Sequence, residues 1–293
     1  MNTENPRLTI GIPIHGGERW LDGVTSNVSR VPPWSRVVIS DASHLDNAAA
    51  VLTETYRDDP NVEVVSRPGT LNWVEHANLL LDEAGTEYFC WLPQDDLVSP
   101  ADYFTLLVDA LDSRPDCVLA FPTVLRKATT GRLRRKPIGE VAYGSPPIEL
   151  GQRPPEQEAV RMLNEWNMAL FCWRGVFHRD MARPIPETDD CADLIWTFSM
   201  ALAGHFAQVD EARYLKRFHR GSGVDTMGWR GMSSAMDLYR LEIEARLGRN
   251  SAETRQVLAE VRRYLDRHRL IQLAGSLRGL GTFALNRPRA VRE

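Results

Sequence analysis

The first 125 residues alternate apolar, β-branched runs with helical stretches, and this alternation restricts the fold more than any other feature. Leu8-Thr-Ile-Gly-Ile-Pro-Ile14, Arg36-Val-Val-Ile-Ser-Asp41, Asn61-Val-Glu-Val-Val65, Tyr88–Leu92 and Cys117–Phe121 read as buried strands. Between them the spacing predicts helices from about Arg19, over Asp46–Tyr56, Leu71–Glu83 and Ala101–Ser113. A βαβα succession of this kind demands a mainly parallel sheet with helices on both faces, because parallel strands need long crossover connections. No internal repeat breaks the pattern. At 293 residues the chain holds one large α/β domain or two small ones, with ample core.

One strand carries chemistry at its end. Tyr88-Phe-Cys-Trp-Leu-Pro-Gln-Asp-Asp96 is apolar until it meets two adjacent carboxylates. The carboxyl ends of the strands are where open α/β sheets place ligands. Neighbouring hard oxygens suit Mg²⁺ or Mn²⁺, usually shared with substrate phosphates. The competing reading is an acidic turn capping the helix near Ala101.

Composition excludes several classes. Hydrophobic residues make up 43% and charged residues 25%, with a net charge of −4. No nucleic-acid-reading motif accompanies that balance, so no nucleic-acid partner is expected. No run approaches the length of a membrane-spanning helix, and Met-Asn-Thr-Glu-Asn-Pro-Arg7 lacks the regions of a signal peptide. Cys90, Cys117, Cys172 and Cys191 are widely spaced, as packing thiols of a reducing cytosol would be. The expected location is therefore cytoplasmic, with peripheral membrane contact left open.

The pattern weakens between Leu125 and about Pro155. Leu125–Lys136 reads as a hairpin turning at Thr130-Gly131, with six basic residues and no acidic one. A second structured half follows, with a helix near Glu156–Asn164, a strand-like Met168–Trp173 and a helix from about Cys191 to Gly204. Then come a short strand, Phe206–Val209, and the segment Tyr214–His219. Beyond Gly223 the chain is helical: Met236, Tyr239, Ile243 and Leu247 recur at helical spacing, as do Leu258, Val261 and Leu265. Residues 251–293 carry nine arginines against four acids. Packing of these helices on the core, or on a second copy of the chain, is favoured over a membrane-facing basic surface.

Taken in order, five segments resemble a family-2 glycosyltransferase of the GT-A fold. They are Leu8–Ile14; Val37-Val-Ile-Ser-Asp-Ala-Ser43; Asn72–Asn78 leading into Tyr88–Pro100; Phe171-Cys-Trp-Arg-Gly-Val-Phe-His-Arg179; and Ala192-Asp-Leu-Ile-Trp196 followed by Ala203–Asp210 and Leu215–His219. The resemblance implies a GT-A domain over residues 1–222, with a nucleotide-binding half of about 1–125 and an acceptor-side half of about 126–222. Residues 223–293 form a helical extension without a counterpart. It also implies an inverting, metal-dependent glycosyltransferase that moves a sugar from a nucleoside-diphosphate sugar to a hydroxyl-bearing acceptor. That acceptor could be a glycan, a lipid-linked sugar or a natural product.

Roles follow from position. Asp41 sits at a strand's carboxyl end, placed to accept a hydrogen bond from a base's ring N–H. Uracil and thymine offer that donor, which favours UDP or dTDP with GDP open. The competing role for Asp41 is an Asx turn. Pro13 and His15 would lie beside the same base, with Glu18 and Arg67 as secondary contacts. Asp95 and Asp96 match the family's D-x-D region, although Pro93 stands where its first Asp usually is. Asp95 would serve the ribose or the metal's water shell, and Asp96 would bind Mn²⁺ or Mg²⁺. His219 resembles a further metal ligand. The general base is expected among Asp189, Asp190 and Asp193, with Asp193 first and Asp190 its rival; helix-dipole complementation is the bland role for all three. Trp173 and Trp196 are candidates for stacking on a sugar, with a core role favoured. Pro93 also motivates an alternative: a non-catalytic relative that binds a nucleotide or glycan. A nucleotidyltransferase or nicotinamide dehydrogenase is disfavoured, because no glycine-rich phosphate loop follows the first strand.

Overall fold

The computed structural model describes residues 5–43, 45–128, 140–142, 153–164, 172–188, 192–218 and 232–267. Nine strands form one sheet: β1 (Leu8–Ile14), β2 (Ser35–Asp41), β3 (Val62–Ser66), β4 (Tyr88–Trp91), β5 (Leu97–Ser99), β6 (Cys117–Ala128), β7 (Glu140–Ala142), β8 (Val176–His178) and β9 (His205–Phe218). Their spatial order is β3-β2-β1-β4-β8-β6-β9-β5, with β7 paired to β6 off that path. The β3-β2-β1-β4 portion is wholly parallel, as the alternating pattern requires. Beyond it the sheet is mixed: β8 runs antiparallel to both β4 and β6, and β5 antiparallel to β9.

Helices α1 (Leu21–Val28), α2 (Ala48–Thr55), α3 (Trp73–Asp82) and α4 (Tyr103–Asp112) connect the early strands. The start of α3 is specified locally by a capping box. The Asn72 side chain accepts from the Val74 and Glu75 amides, and the Glu75 carboxylate accepts from the Asn72 amide. Helix α5 (Pro155–Asn164) packs on α6 (Ala192–Ala203), which in turn meets α7 (Met232–Leu247). Nearly every residue of α6 is buried, so it is a central helix covered on all sides rather than an amphipathic surface helix.

The C-terminal helices join the same core. Tyr239 and Ile243 of α7, and Val257, Val261 and Tyr264 of α8 (252–267), are buried in the cluster that includes the strands. Glu242 fastens α7, accepting from the Ser199 hydroxyl at 2.6 Å and pairing with Arg183 at 3.0 Å.

Three local expectations differ from the structure. Leu125–Lys127 pair with Glu140–Ala142, so the return strand lies later than Arg132–Lys136; the expected Thr130-Gly131 turn is outside the described residues. Of the strand-like Met168–Trp173, only Cys172, which is helical, and Trp173, in the turn after it, are among the described residues, and a strand follows at Val176–His178. Phe206–Val209 and Tyr214–Phe218 are parts of one strand. A bulge accommodates Asp210-Glu211-Ala212, since Pro122 faces Val209 while Thr123 faces Arg213.

The β8 approach to β6 needs a residue without a side chain. A Cβ on Gly175 would overlap the Ala120 carbonyl oxygen, and Ala120 is itself paired with Val176. Gly175→Ala is therefore expected to destabilise the protein by about 1–3 kcal/mol, as overpacking does. A lowered urea midpoint measures it.

Candidate active site

Parallel pairing of β1 with β2 sets Ile14 opposite Asp41 and Pro13 opposite Ser40, at the carboxyl edge of the sheet. Asp41 is buried. Its Oδ1 accepts from the Ser43 amide at 2.9 Å and the Ser43 hydroxyl at 2.8 Å, which is an Asx turn. Ser43 Oγ in turn accepts from the Gly16 amide at 3.1 Å, drawing the β1 turn toward β2. Gly16 has φ of 59°, a conformation that glycine adopts without steric cost. That turn leaves His15 and Glu18 exposed at the rim, with Pro13 half-buried behind them.

Arg67, expected as a secondary contact of the base, also bonds within the protein. Its Nε donates to Ser40 Oγ at 3.0 Å, and both terminal nitrogens engage the Glu83 carboxylate. His76 of α3, also bonded to Ser40 Oγ at 2.8 Å, is buried beside it. Burial, then the Arg67 charge, hold this imidazole below its ordinary pKa, so it is neutral near pH 7. His15 and Asp41 act on the same imidazole, so these side chains lie near one another.

Gln94 joins this group of side chains to the acidic pair. Its amide donates to the His15 carbonyl at 2.8 Å and accepts from the His15 amide at 3.2 Å. Asp95 is half-buried. Asp96 is only 1% exposed, and both its oxygens are engaged: Oδ2 by the Tyr214 hydroxyl at 2.8 Å, Oδ1 by the Arg217 amide at 2.9 Å. Asn27 of α1 completes this clamp, donating to the Asp96 carbonyl at 2.9 Å and accepting from Val98. Asp96 therefore ties the β4 loop to β9. Asp96 is the expected cation ligand; each of its oxygens already accepts one hydrogen bond from a neighbouring donor, which competes with a cation for the carboxylate. Asp95 is the more exposed acid of the pair.

Asp193 opens α6, where its Oδ1 accepts from the Leu194 amide at 2.9 Å. Burial raises its carboxyl pKa, while Arg174 and Lys216 pull it back. Asp96 is likewise raised by burial and lowered by Lys216 and Arg174. The same two cations thus act on both carboxylates, so Asp95, Asp96 and Asp193 bound one region. Arg174 lies over the Tyr214 ring at 5.5 Å, and its carbonyl accepts from the Tyr103 hydroxyl at 3.1 Å. Asp189, Asp190 and His219 lie outside the described residues. Trp173 and Trp196 are 8% and 1% exposed and belong to the core, with Trp173 stacked on Trp91 at 4.4 Å.

Sequence reasoning missed Arg174 and Lys216. A faint signal existed for the second: Lys216 is one of three lysines among 35 basic residues. No group of three or more His, Cys, Asp or Glu side chains converges on a metal-sized site among the described residues. Asp95 does fit a cation held mainly by diphosphate oxygens, since Mg²⁺ commonly takes one or two carboxylates plus substrate phosphates.

A parallel set of strands, a mixed sheet beyond it and carboxylates along the shared edge define a GT-A glycosyltransferase fold. Residues 9–183 match the family model described as glycosyl transferase family 2, and the chain belongs to that family. It is a glycosyltransferase. No curated protein matches it significantly. Among solved structures it is similar to S. aureus TarS. The 1–349 fragment in complex with UDP-GlcNAc superposes with a TM-score of 0.63 at 16% identity, covering 89% of this chain and 72% of that one. The same fragment in complex with UDP gives a TM-score of 0.57 at 16% identity, with 89% and 71% covered. TarS crystallised beyond that fragment gives 0.60 at 17% identity, and this chain spans 43% of it. No described helix is long and apolar enough to cross a membrane.

Proposed function

We propose that the protein transfers a sugar, with inversion, from a uridine or thymidine diphosphate sugar to an acceptor hydroxyl. The observation that carries this reading is that Arg174 and Lys216 act on both Asp96 and Asp193, with Asp95 beside Asp96 and Asp41 at the end of β2. In this reading the base lies against Asp41, Pro13 and His15, and the ribose and diphosphate extend past Gln94 to Asp95. The Asp193 carboxylate takes the acceptor's proton as its oxygen bonds to the anomeric carbon. The bond from that carbon to the diphosphate breaks, and its electron pair leaves with the phosphate oxygen. Attack and departure occur on opposite faces, which inverts the centre. A divalent cation bridging the phosphates would neutralise charge on the leaving group. Complexes of TarS with UDP-GlcNAc and UDP support a uridine donor.

Charge balance argues that the cation arrives with the nucleotide. Among the described residues, Arg174 and Lys216 face Asp95, Asp96 and Asp193, and the Arg217 guanidinium donates to the Asp95 carbonyl, so the site without nucleotide has little net attraction for a dication. The expected result is weak Mn²⁺ binding alone and binding tighter by on the order of 10- to 100-fold with UDP, the usual size of such coupling. Titration of free Mn²⁺ by electron paramagnetic resonance, with and without UDP, measures it. The test of the function itself is nucleotide release from UDP- and dTDP-sugars, with Mn²⁺ and with EDTA. Failure of every nucleotide to bind would remove the reading.

A further inference from the structure

We infer that Trp73 is a stacking platform for a pyranose ring of the acceptor, an inference that rests on the glycosyltransferase reading above. Five large hydrophobic residues are exposed among the described residues, and Trp73 is the only aromatic one, at 49%. Single exposed apolar residues are ordinary, so exposure alone decides nothing. Placement does. Trp73 is the first residue of α3, which follows β3, so it stands at the carboxyl edge of the sheet with the acidic side chains.

The ring is also held. The capping box at Asn72 and Glu75 fixes the backbone on which it sits. Trp73 meets Trp173 edge to face, with centroids 6.0 Å apart and planes at 88°. Trp173 in turn stacks on Trp91 at 4.4 Å and meets Trp196 edge to face at 5.2 Å. A platform supported this way loses little conformational freedom when a ligand lands on it.

Two connections lead from Trp73 to the reacting groups. Trp173 precedes Arg174, the cation shared by Asp96 and Asp193, and Trp196 lies one helical turn beyond Asp193. Asn78 of α3 grips the backbone of Ile185 through two hydrogen bonds of 2.7 and 2.9 Å, on the segment that leads to α6. Trp73 is thus tied, through packed tryptophans and the Asn78 bonds, to the helix that Asp193 opens. A pyranose presents a face of C–H bonds to an aromatic ring while its hydroxyls point outward, and tryptophan offers the largest such surface. A ring stacked there would steer its neighbour's hydroxyl toward Asp193.

The test uses the intact protein with chitotetraose, cellotetraose and maltotetraose as probes, and UDP as an internal control. Binding is read by saturation-transfer nuclear magnetic resonance and by calorimetry for wild type, Trp73→Ala and Trp73→Phe. The expected result is that at least one oligosaccharide binds wild type, is weakened about ten- to hundredfold by Trp73→Ala, and is largely retained by Trp73→Phe. UDP affinity stays unchanged throughout. Equal oligosaccharide binding by Trp73→Ala, or none by wild type, overturns the platform while leaving UDP binding as support for the enzyme. Trp73-dependent oligosaccharide binding without any UDP binding keeps the platform and removes the proposed reaction.

Discussion

Asp193→Asn is expected to lower the transfer rate by about 10²- to 10⁴-fold, the span that general-base catalysis contributes, while leaving UDP affinity intact. Asparagine keeps an oxygen for the Leu194 amide, so the first turn of α6 holds its geometry and only proton acceptance is lost. The pH profile adds a second reading of the same residue. Burial raises the Asp193 carboxyl above the ordinary carboxylate value, so activity should fall as pH drops through that raised pKa. The acid limb should therefore sit above 3.8 and vanish from the residual activity of Asp193→Asn. Steady-state kinetics from acidic to neutral pH, with UDP calorimetry alongside, measures both. A variant with unaltered turnover would transfer the role to Asp189 or Asp190, or favour the non-catalytic relative that Pro93 suggested.

Asp96→Ala should chiefly damage the fold. Removing the carboxylate strands the buried Tyr214 hydroxyl and the Arg217 amide, and leaves Lys216 and Arg174 with less negative charge to face. Breaking a buried, hydrogen-bonded charge cluster by deleting one partner costs about 3–5 kcal/mol. Asp95→Asn removes a half-exposed charge and should change stability by no more than about 0.5 kcal/mol, yet strongly reduce transfer. Urea unfolding of the two variants, paired with nucleotide release, separates the residue that builds the cleft from the one that works in it. Equal stability of both variants would mean that Asp96 is not the tie between β4 and β9.

The contrast between these neighbours shows where sequence reading reaches its limit. An apolar run ending in Asp95-Asp96 located the edge of the sheet, since a buried strand must surface where its charges begin. It could not assign the two acids, because which one turns inward depends on Tyr214 and Arg217, more than a hundred residues away. The same holds for β9. Asp210-Glu211-Ala212 breaks the alternation and divides the strand in two along the sequence, whereas pairing with β6 absorbs the break as a bulge. Arg67 shows a related limit: a basic residue after a strand suggests a ligand contact, and only the tertiary position of Glu83 reveals that its guanidinium also pairs with a carboxylate.

Local physics therefore determined the parallel half of the sheet, the capped start of α3, the strand ends bearing Asp41 and Asp95, and the helix opening at Asp193. Each depends on hydrophobic spacing or on hydrogen bonds spanning a few residues, both written directly in the chain. Tertiary structure decided the antiparallel placement of β8 and β5, the burial of Asp96 and the field of Arg174 and Lys216 over two distant carboxylates. Those outcomes arise from contacts between segments far apart in sequence, where a side chain's environment is set by its partners and not by its neighbours.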